Sequence, residues 1–358
     1  MTAVGEITAA VYTVPTDRPE ADGTLAWTET TMTLVRARAG GLTGLGWTYG
    51  PAACAAIVRD LLGPTVSGMC AFDVPAAFGA MVHRVRNAGR AGVAGYAISA
   101  VETALWDLKA RLLDVPLCRL LGQAVQAVQV YGSGGFTSYT EAELAEQLGG
   151  WALDDGMGRV KLKIGRDRDV RRVRRAREAI GADTELFVDA NGAYTAKEAV
   201  RLAAAMDEWD VRWFEEPVSS DDLAGLRLVR DAVRPDVTAG EYGCDLYYFR
   251  RMAGAVDCLQ IDVTRCGGIL EWQRAAGLAA ARNLQVSGHC TPQLHLHVAL
   301  ATPNVRHLEW FHDHVRIESM FFDGFRAPVE GMLTPDLSRP GIGLELRSAD
   351  ADRYLTRG

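Results

Sequence analysis

Apolar and polar positions along the chain follow two different periods. Ile7 to Val14 and Met32 to Arg38 alternate as half-buried strands do, and the Pro/Asp/Gly-rich stretch 15–24 between them reads as a loop. Ala97 to Leu113 places Ile98, Val101, Ala104, Leu105, Leu108 and Leu112 at helical spacing, and Asp114-Val115-Pro116 ends the pattern. Residues 1–125 therefore predict an α+β unit. From 126 onward short apolar runs alternate with helical segments, beginning near 128, 159, 185, 211, 237, 258, 284 and 305. Repeats of 21 to 31 residues suit strand-loop-helix units. An open doubly wound sheet competes, but no GxGxxG follows the first run, and polar residues cluster where nearly every run ends. The pattern predicts an α/β fold with a closed parallel barrel over 126–321 and its site at the C-terminal mouth. The last segment, 322–358, with a strand near Ile342 to Leu346, is expected to pack back on the first unit. Arg166 to Arg177 has Val170 and Val173 interleaved and reads as a helix with a solvated basic face.

Composition narrows the partners. With 358 residues, 48% of them hydrophobic and 23% charged, the chain can bury a large core. Lys plus Arg is 38 against 45 for Asp plus Glu, a net charge of −7 that argues against nucleic acid and toward small molecules. The seven cysteines are dispersed and form no CxxC, so neither a disulfide framework nor a structural zinc site is indicated, and a reducing cytoplasm fits. Neither a leader-like amino terminus nor a long apolar run points to export or a membrane.

Chemistry collects at the ends of the runs. Asp189, Glu215 and Glu241 close the third, fourth and fifth at intervals of 26 and 26 residues, one repeat each. Acids brought to one mouth in this way repel unless a cation compensates them, and hard oxygen donors select Mg²⁺. Each acid alone would equally serve as a helix cap. Lys161 and Lys163, two apart on a strand, share its inward face; mutual repulsion and a nearby cation would lower their proton affinity, which makes Lys163 a candidate base. Asp262 and His289 close adjacent runs, where a carboxylate bonded to the imidazole would fix its tautomer and leave a basic nitrogen free. Glu309 closes the eighth run.

K-x-K at 161–163, DAN at 189–191, EEP at 215–217, GE at 240–241, Asp262 in IDVTRCGG, His289 and Glu309 together resemble the enolase superfamily, in its mandelate racemase subgroup, over essentially the whole length. The resemblance implies a (β/α)7β barrel under an α+β capping domain completed by the C-terminal segment. It implies Mg²⁺ on Asp189, Glu215 and Glu241, with the first of the two adjacent glutamates as ligand. It further implies that the metal, Lys161 and Glu309 hold the substrate carboxylate and stabilise an enediolate, while Lys163 and His289 stand on opposite faces of the substrate. The Asp262/His289 pair marks the subgroup, and no lysine follows Asp262 as it does in relatives that cycloisomerise muconate.

Two outcomes stay open: dehydration of an acid sugar to a 2-keto-3-deoxy acid, which many subgroup members catalyse, and racemisation of a 2-hydroxy acid. A binding protein that has lost turnover is a third reading, although every catalytic position is present. Ser133, Asn191 and Tyr242 from the barrel, and Trp27 and Trp47 from the segments 15–27 and 47–50, are candidate substrate contacts; the tryptophans read equally as packing residues. Six of seven histidines lie between 289 and 314. His295 and His297 face different directions on one helix, which argues against a second metal there, while His312 and His314 are either exposed or touch substrate. A homo-oligomer, dimer to octamer, is implied by the resemblance alone.

Overall fold

The computed structural model describes residues 2–165 and 167–356. Met1, Arg357 and Gly358, assigned above to the two ends of the capping unit, and Arg166, which opens the basic stretch, lie outside the described residues. The chain begins with an antiparallel meander, β1 (Ile7–Ala21), β2 (Ala26–Ala39) and β3 (Leu42–Tyr49). β1 and β2 are longer than the alternation suggested, so the predicted loop 15–24 shrinks to a turn at 22–25. The pairing continues because the register shifts between Pro15 and Glu20, where a proline without an N–H is tolerated. Asp22 then closes the turn, its Oδ1 accepting the backbone N–H groups of Thr24 at 2.6 Å and Leu25 at 2.7 Å.

The helix Val93–Leu112 lies against this sheet. Its approach is close enough that a Cβ on Gly46 of β3 would stand 2.3 Å from the carbonyl oxygen of Ala100. Asp107 ties three distant segments together: its carboxylate accepts the N–H groups of Leu45 and Ile342, each at 2.7 Å, and is paired with Arg111 at 2.8 Å. The C-terminal segment also adds a strand, Leu355–Thr356, to the free side of β1.

Eight parallel strands form the barrel: β4 (Val128–Gly134), β5 (Arg159–Lys163), β6 (Glu185–Asp189), β7 (Val211–Glu215), β8 (Asp236–Ala239), β9 (Cys258–Ile261), β10 (Gln285–Gly288) and β11 (Val305–Phe311). β11 pairs with β4 and closes it. Outward residues such as Val160, Leu162, Val188 and Phe214 are buried under the helices, as a closed parallel sheet requires. Inside, Tyr131, Phe187, Trp213 and Cys258 form an apolar plug. The basic helix runs Asp169–Ile180, and its polar face is not wholly solvated: Arg172 turns inward and donates to the carbonyls of Gly135, Phe136 and Tyr139. Those carbonyls belong to the loop after β4, so one guanidinium ties that bend together, adding to the backbone bonds that Gly135 O and Phe136 O already accept.

Glu102, from the capping helix, reaches the barrel and accepts the N–H groups of Ile269 at 2.7 Å and Leu270 at 3.0 Å. These are the first residues of the helix Ile269–Ala280, so an acid from one layer caps a helix of the other. No described helix is long and apolar enough to cross a membrane.

Candidate active site

The inward side chains above the plug are polar and buried: Ser133 on β4, Lys161 and Lys163 on β5, Asp189 on β6, Glu215 on β7, Glu309 on β11. Asp262 and His289 follow immediately after β9 and β10, and Glu241 comes two residues after β8. Register explains the convergence, because Lys163 pairs with Asp189 and Asp189 with Glu215 across neighbouring strands.

On the lysine side, Lys161 Nζ lies 2.7 Å from Glu215, 2.8 Å from Glu309 and 3.3 Å from Asp189. Lys163 Nζ is 2.5 Å from Asp189 Oδ2. Burial opposes the charge of each lysine, but the carboxylates in contact outweigh it and hold both above the usual lysine range. The expected mutual lowering of the lysines is thus overturned by three acids that touch the pair. Burial likewise opposes ionisation of Asp189, and Lys163 and Lys161 overcome it, so that its carboxyl lies below the usual range.

On the histidine side, His289 Nδ1 and Asp262 Oδ2 are 2.8 Å apart. Asp262 Oδ1 accepts the N–H and the hydroxyl of Thr264, both at 2.7 Å. An ionised carboxylate can only accept, so Nδ1 carries the proton and Nε2 presents a lone pair. Burial works against the Asp262 charge, yet the bond to His289 keeps its carboxyl below the usual range. Arg265, absent from the sequence-based candidates, bridges Glu241 at 3.2 Å and Asp262 at 3.3 Å. Its place three residues after Asp262, one turn on, was the available signal.

The three acids expected to share a cation are not gathered as one cluster. Asp189 and Glu215 close onto the lysines, whereas Glu241 is drawn to Arg265 and His289. Among the described residues, groups of three His, Cys, Asp or Glu ligand atoms within 4.8 Å of one another occur at His289, Cys290 and Glu309, and at Asp17, Glu20 and His312. The site nevertheless fits a hard cation. Asp189, Glu215, Glu216, Glu241, Asp262 and Glu309 are all buried, against the positive charges of Lys161, Lys163 and Arg265. Glu241 Oε2, Glu216 Oε1 and Asn191 Oδ1 are buried oxygens with no hydrogen-bond partner among the described residues. Burial first, and then Glu241, push Glu216 well above the usual carboxylate range. An excess of buried oxygen donors in that state is what a divalent cation relieves. Glu216 was passed over in favour of its neighbour; its positive φ of 39° turns it off the strand's alternation.

Above the acids lies a cavity of about 450 Å³, with Lys163, Asn191, Glu241, Tyr242, Arg265, His289 and Cys290 on the barrel side. Asp22, Trp27, Glu29, Thr30, Thr31 and Tyr49 line it from the meander. The β1–β2 turn is pinned over the mouth: a Cβ on Gly23 would meet the carbonyl oxygens of Ile164 and Ala190 at 2.6 Å, and Thr137 binds Ala21 O and Asp22 O at 2.8 and 2.7 Å. Trp27, Asn191 and Tyr242 reach the cavity, but two candidate contacts do not. Trp47 is fully buried, stacked on Phe322 and bonded to Glu318. Ser133 lies below the floor and donates to Glu309 at 2.6 Å, so it positions that acid. His314 is not exposed; it lines the cavity, stacked on Tyr49 with ring centres 3.5 Å apart. His312 binds Asp17 beside the mouth. His295 and His297 bond apart from each other, to Val263 N–H and to Ile342 O. A larger hollow of about 620 Å³ opens at the opposite end of the barrel, but its Arg159 and Arg306 are paired with Glu185 and Asp236.

Comparison with known proteins agrees with the fold. The mandelate racemase/muconate lactonizing enzyme N-terminal domain matches residues 6–122, and the enolase C-terminal domain-like family matches 143–351. A mandelate racemase/muconate lactonizing enzyme-like protein from Rubrobacter xylanophilus superimposes with a TM-score of 0.97 at 49% identity, covering 99% of this chain and 100% of that one. L-talarate dehydratase from Polaromonas sp. JS666, complexed with Mg and L-glucarate, gives 0.90 at 26% identity over 100% and 98%. The 3,6-anhydro-alpha-L-galactonate cycloisomerase of Streptomyces coelicolor is 36% identical over 279 residues, 75% of this chain and 77% of its own. The chain belongs to the mandelate racemase/muconate lactonizing enzyme family of the enolase superfamily.

Proposed function

We propose that the protein removes the α-proton of an acid-sugar carboxylate and expels the β-hydroxyl, giving a 2-keto-3-deoxy acid. The observation that carries this reading is the Asp262–His289 pair at 2.8 Å, on the same cavity as Lys163. Asp189, Glu215 and Glu241 would hold Mg²⁺, as supported by the bare oxygen of Glu241, the surplus of buried acids and the magnesium complex of the talarate dehydratase. When bound, Mg²⁺ neutralises the negative charge that gathers on the substrate carboxylate as the proton leaves.

The chain's own groups do the rest. Lys161, fully buried between Glu215 and Glu309, places a fixed ammonium beneath the substrate carboxylate. Ser133 orients Glu309 from below. The α C–H electron pair moves toward the carboxylate while the proton passes to His289 Nε2, or to Lys163 as a neutral amine, which it would become once Asp189 turned to the cation and no longer held its charge, according to the substrate's configuration. Where His289 is the base, its imidazolium, stabilised by Asp262, gives that proton to the β-hydroxyl, which leaves as water; where Lys163 is the base, His289 must enter the cycle already protonated at Nε2 to do the same. The remaining enol takes up a proton at C3. The β1–β2 turn over the mouth keeps water from competing.

The cavity also favours a class of acid sugar. Its charged lining on the meander side is Asp22 and Glu29, and its cations, Lys163 and Arg265, both belong to the barrel side. A second carboxylate at the far end of the substrate would face acids, so monocarboxylate acid sugars should outperform dicarboxylates. Racemisation of a 2-hydroxy acid is the second reading, favoured by the presence of two bases on one cavity. A panel of acid sugars and 2-hydroxy acids, incubated with Mg²⁺ in D₂O, separates them. Formation of a 2-keto acid supports dehydration; deuterium incorporation with inversion and no keto acid supports racemisation; neither across the panel refutes both.

A further inference from the structure

Cys290 follows the imidazole directly, and nothing in the proposed proton transfer uses it. Its backbone φ of 52° turns the thiol onto the same cavity. Sγ lies 3.3 Å from His289 Nε2 and 3.4 Å from Glu309 Oε2, and Nε2 and Oε2 are 3.9 Å apart. These three ligand atoms all lie within 4.8 Å of one another, and all three residues are buried. Donor atoms around a tetrahedral Zn²⁺, with bonds of about 2.0–2.3 Å, sit about 3.5 Å from one another. Glu309 Oε2 also accepts the N–H of Cys290 at 2.9 Å, which leaves a second lone pair for a metal.

We infer that His289 Nε2, Cys290 Sγ and Glu309 Oε2 form a three-donor capture site for a soft divalent cation such as Zn²⁺, distinct from the Mg²⁺ position proposed on Asp189, Glu215 and Glu241. The sulfur and nitrogen donors select Zn²⁺ or Co²⁺ over Mg²⁺. Asp262 on Nδ1 supplies the outer carboxylate that metal-binding histidines usually have. Burial and Glu309 hold the Cys290 thiol well above its usual range, so the group is a neutral thiol before capture. Binding breaks the S–H bond, forms the metal–sulfur bond and releases the proton to solvent. The cation then occupies the lone pair that His289 would use for catalysis, and the enzyme is inhibited. That consequence rests on the proposed role of His289; the capture itself does not.

The test uses EDTA-stripped protein supplied with excess Mg²⁺ and titrated with Co²⁺. A near-ultraviolet thiolate-to-cobalt charge-transfer band should grow to saturation at stoichiometric Co²⁺ and disappear on addition of Zn²⁺. It should be lost in both Cys290→Ala and Cys290→Ser, each checked for a wild-type circular dichroism spectrum. Asp262→Asn should weaken Co²⁺ binding about 10–100-fold. Absence of the band in folded wild-type protein, its survival in Cys290→Ala, or its removal by Mg²⁺ alone would overturn the site. Substrate exchange in the Mg²⁺ form is measured separately, so a failure of the proposed reaction shows as silence there while the band remains.

Discussion

Replacing Asp262 by Asn changes one atom and should reverse the imidazole. Oδ1 of Asp262 accepts the backbone N–H of Thr264 at 2.7 Å, a donor that cannot rotate away. The asparagine carbonyl must therefore remain on that side, which places its NH₂ opposite His289 Nδ1, where Oδ2 now stands at 2.8 Å. Two donors cannot share that contact, so Nδ1 gives up its proton and Nε2 takes one. A protonated, neutral Nε2 has no lone pair to receive a substrate proton. General acid–base catalysis contributes about 10²–10⁴-fold, and a wrong tautomer behind an intact geometry costs about the upper end of that range. In energy this upper end is about 5 kcal/mol. Asp262→Ala leaves the tautomer free and should retain more activity than Asp262→Asn. The assay is α-proton exchange in D₂O followed by proton NMR with substrates of both configurations. Exchange at the face served by His289 should fall in the order wild type, Ala, Asn, while exchange at the Lys163 face changes less than about tenfold. If Asn exceeds Ala, or if both faces fall together, the tautomer argument is refuted.

Two further predictions concern closure and pH. Gly23→Ala introduces a Cβ 2.6 Å from two carbonyl oxygens, so the turn must lift from the mouth; overpacking of about 1–3 kcal/mol should appear as a raised KM for acid sugars, with Tm falling only slightly. An unchanged KM would show that the turn does not cover substrate. Burial pushes Glu318 up to about 8 from an ordinary 4.5, so its contribution to stability is full below about pH 4.5 and is lost as pH rises through about 8. Glu102, pushed up to about 7 by burial, adds to the same trend. Wild-type Tm should therefore fall over this interval, and Glu318→Gln should flatten the fall by a few kcal/mol, roughly the size of a shift of several pKa units. An equally steep decline in the variant contradicts the assignment.

Backbone periodicity was readable because each barrel strand is a short apolar run repeated at nearly constant spacing. The starts near 128, 159, 185 and 211 fall at Val128, Arg159, Glu185 and Val211. The phase of Asp189, Glu215, Asp262, His289 and Glu309 with the strand ends followed from the same spacing. Side-chain direction was not readable. Whether Glu241 points to Asp189 or to Arg265 depends on a partner on another strand, and whether Trp47 faces the cavity or Phe322 depends on the fold of the last segment. Pro15 and Pro19 suggested a loop because proline breaks regular ladders, yet the register shift accommodates them and carries β1 on to Ala21. Cys290 gave no signal of its own; only the three-dimensional closure of β10 on β11 brings it to Glu309.

The central claim is that a cation held by acids at the mouth lets Lys163 and His289 take an otherwise inert α-proton. Its most direct test is proton NMR in D₂O of a responsive acid sugar with EDTA-stripped enzyme, before and after addition of Mg²⁺. Loss of the α-proton signal should start on adding Mg²⁺ and be abolished in Glu241→Gln and in the double variant Lys163→Ala/His289→Ala, all three proteins remaining folded. Full-rate exchange in the stripped enzyme, or in the double variant, would contradict it.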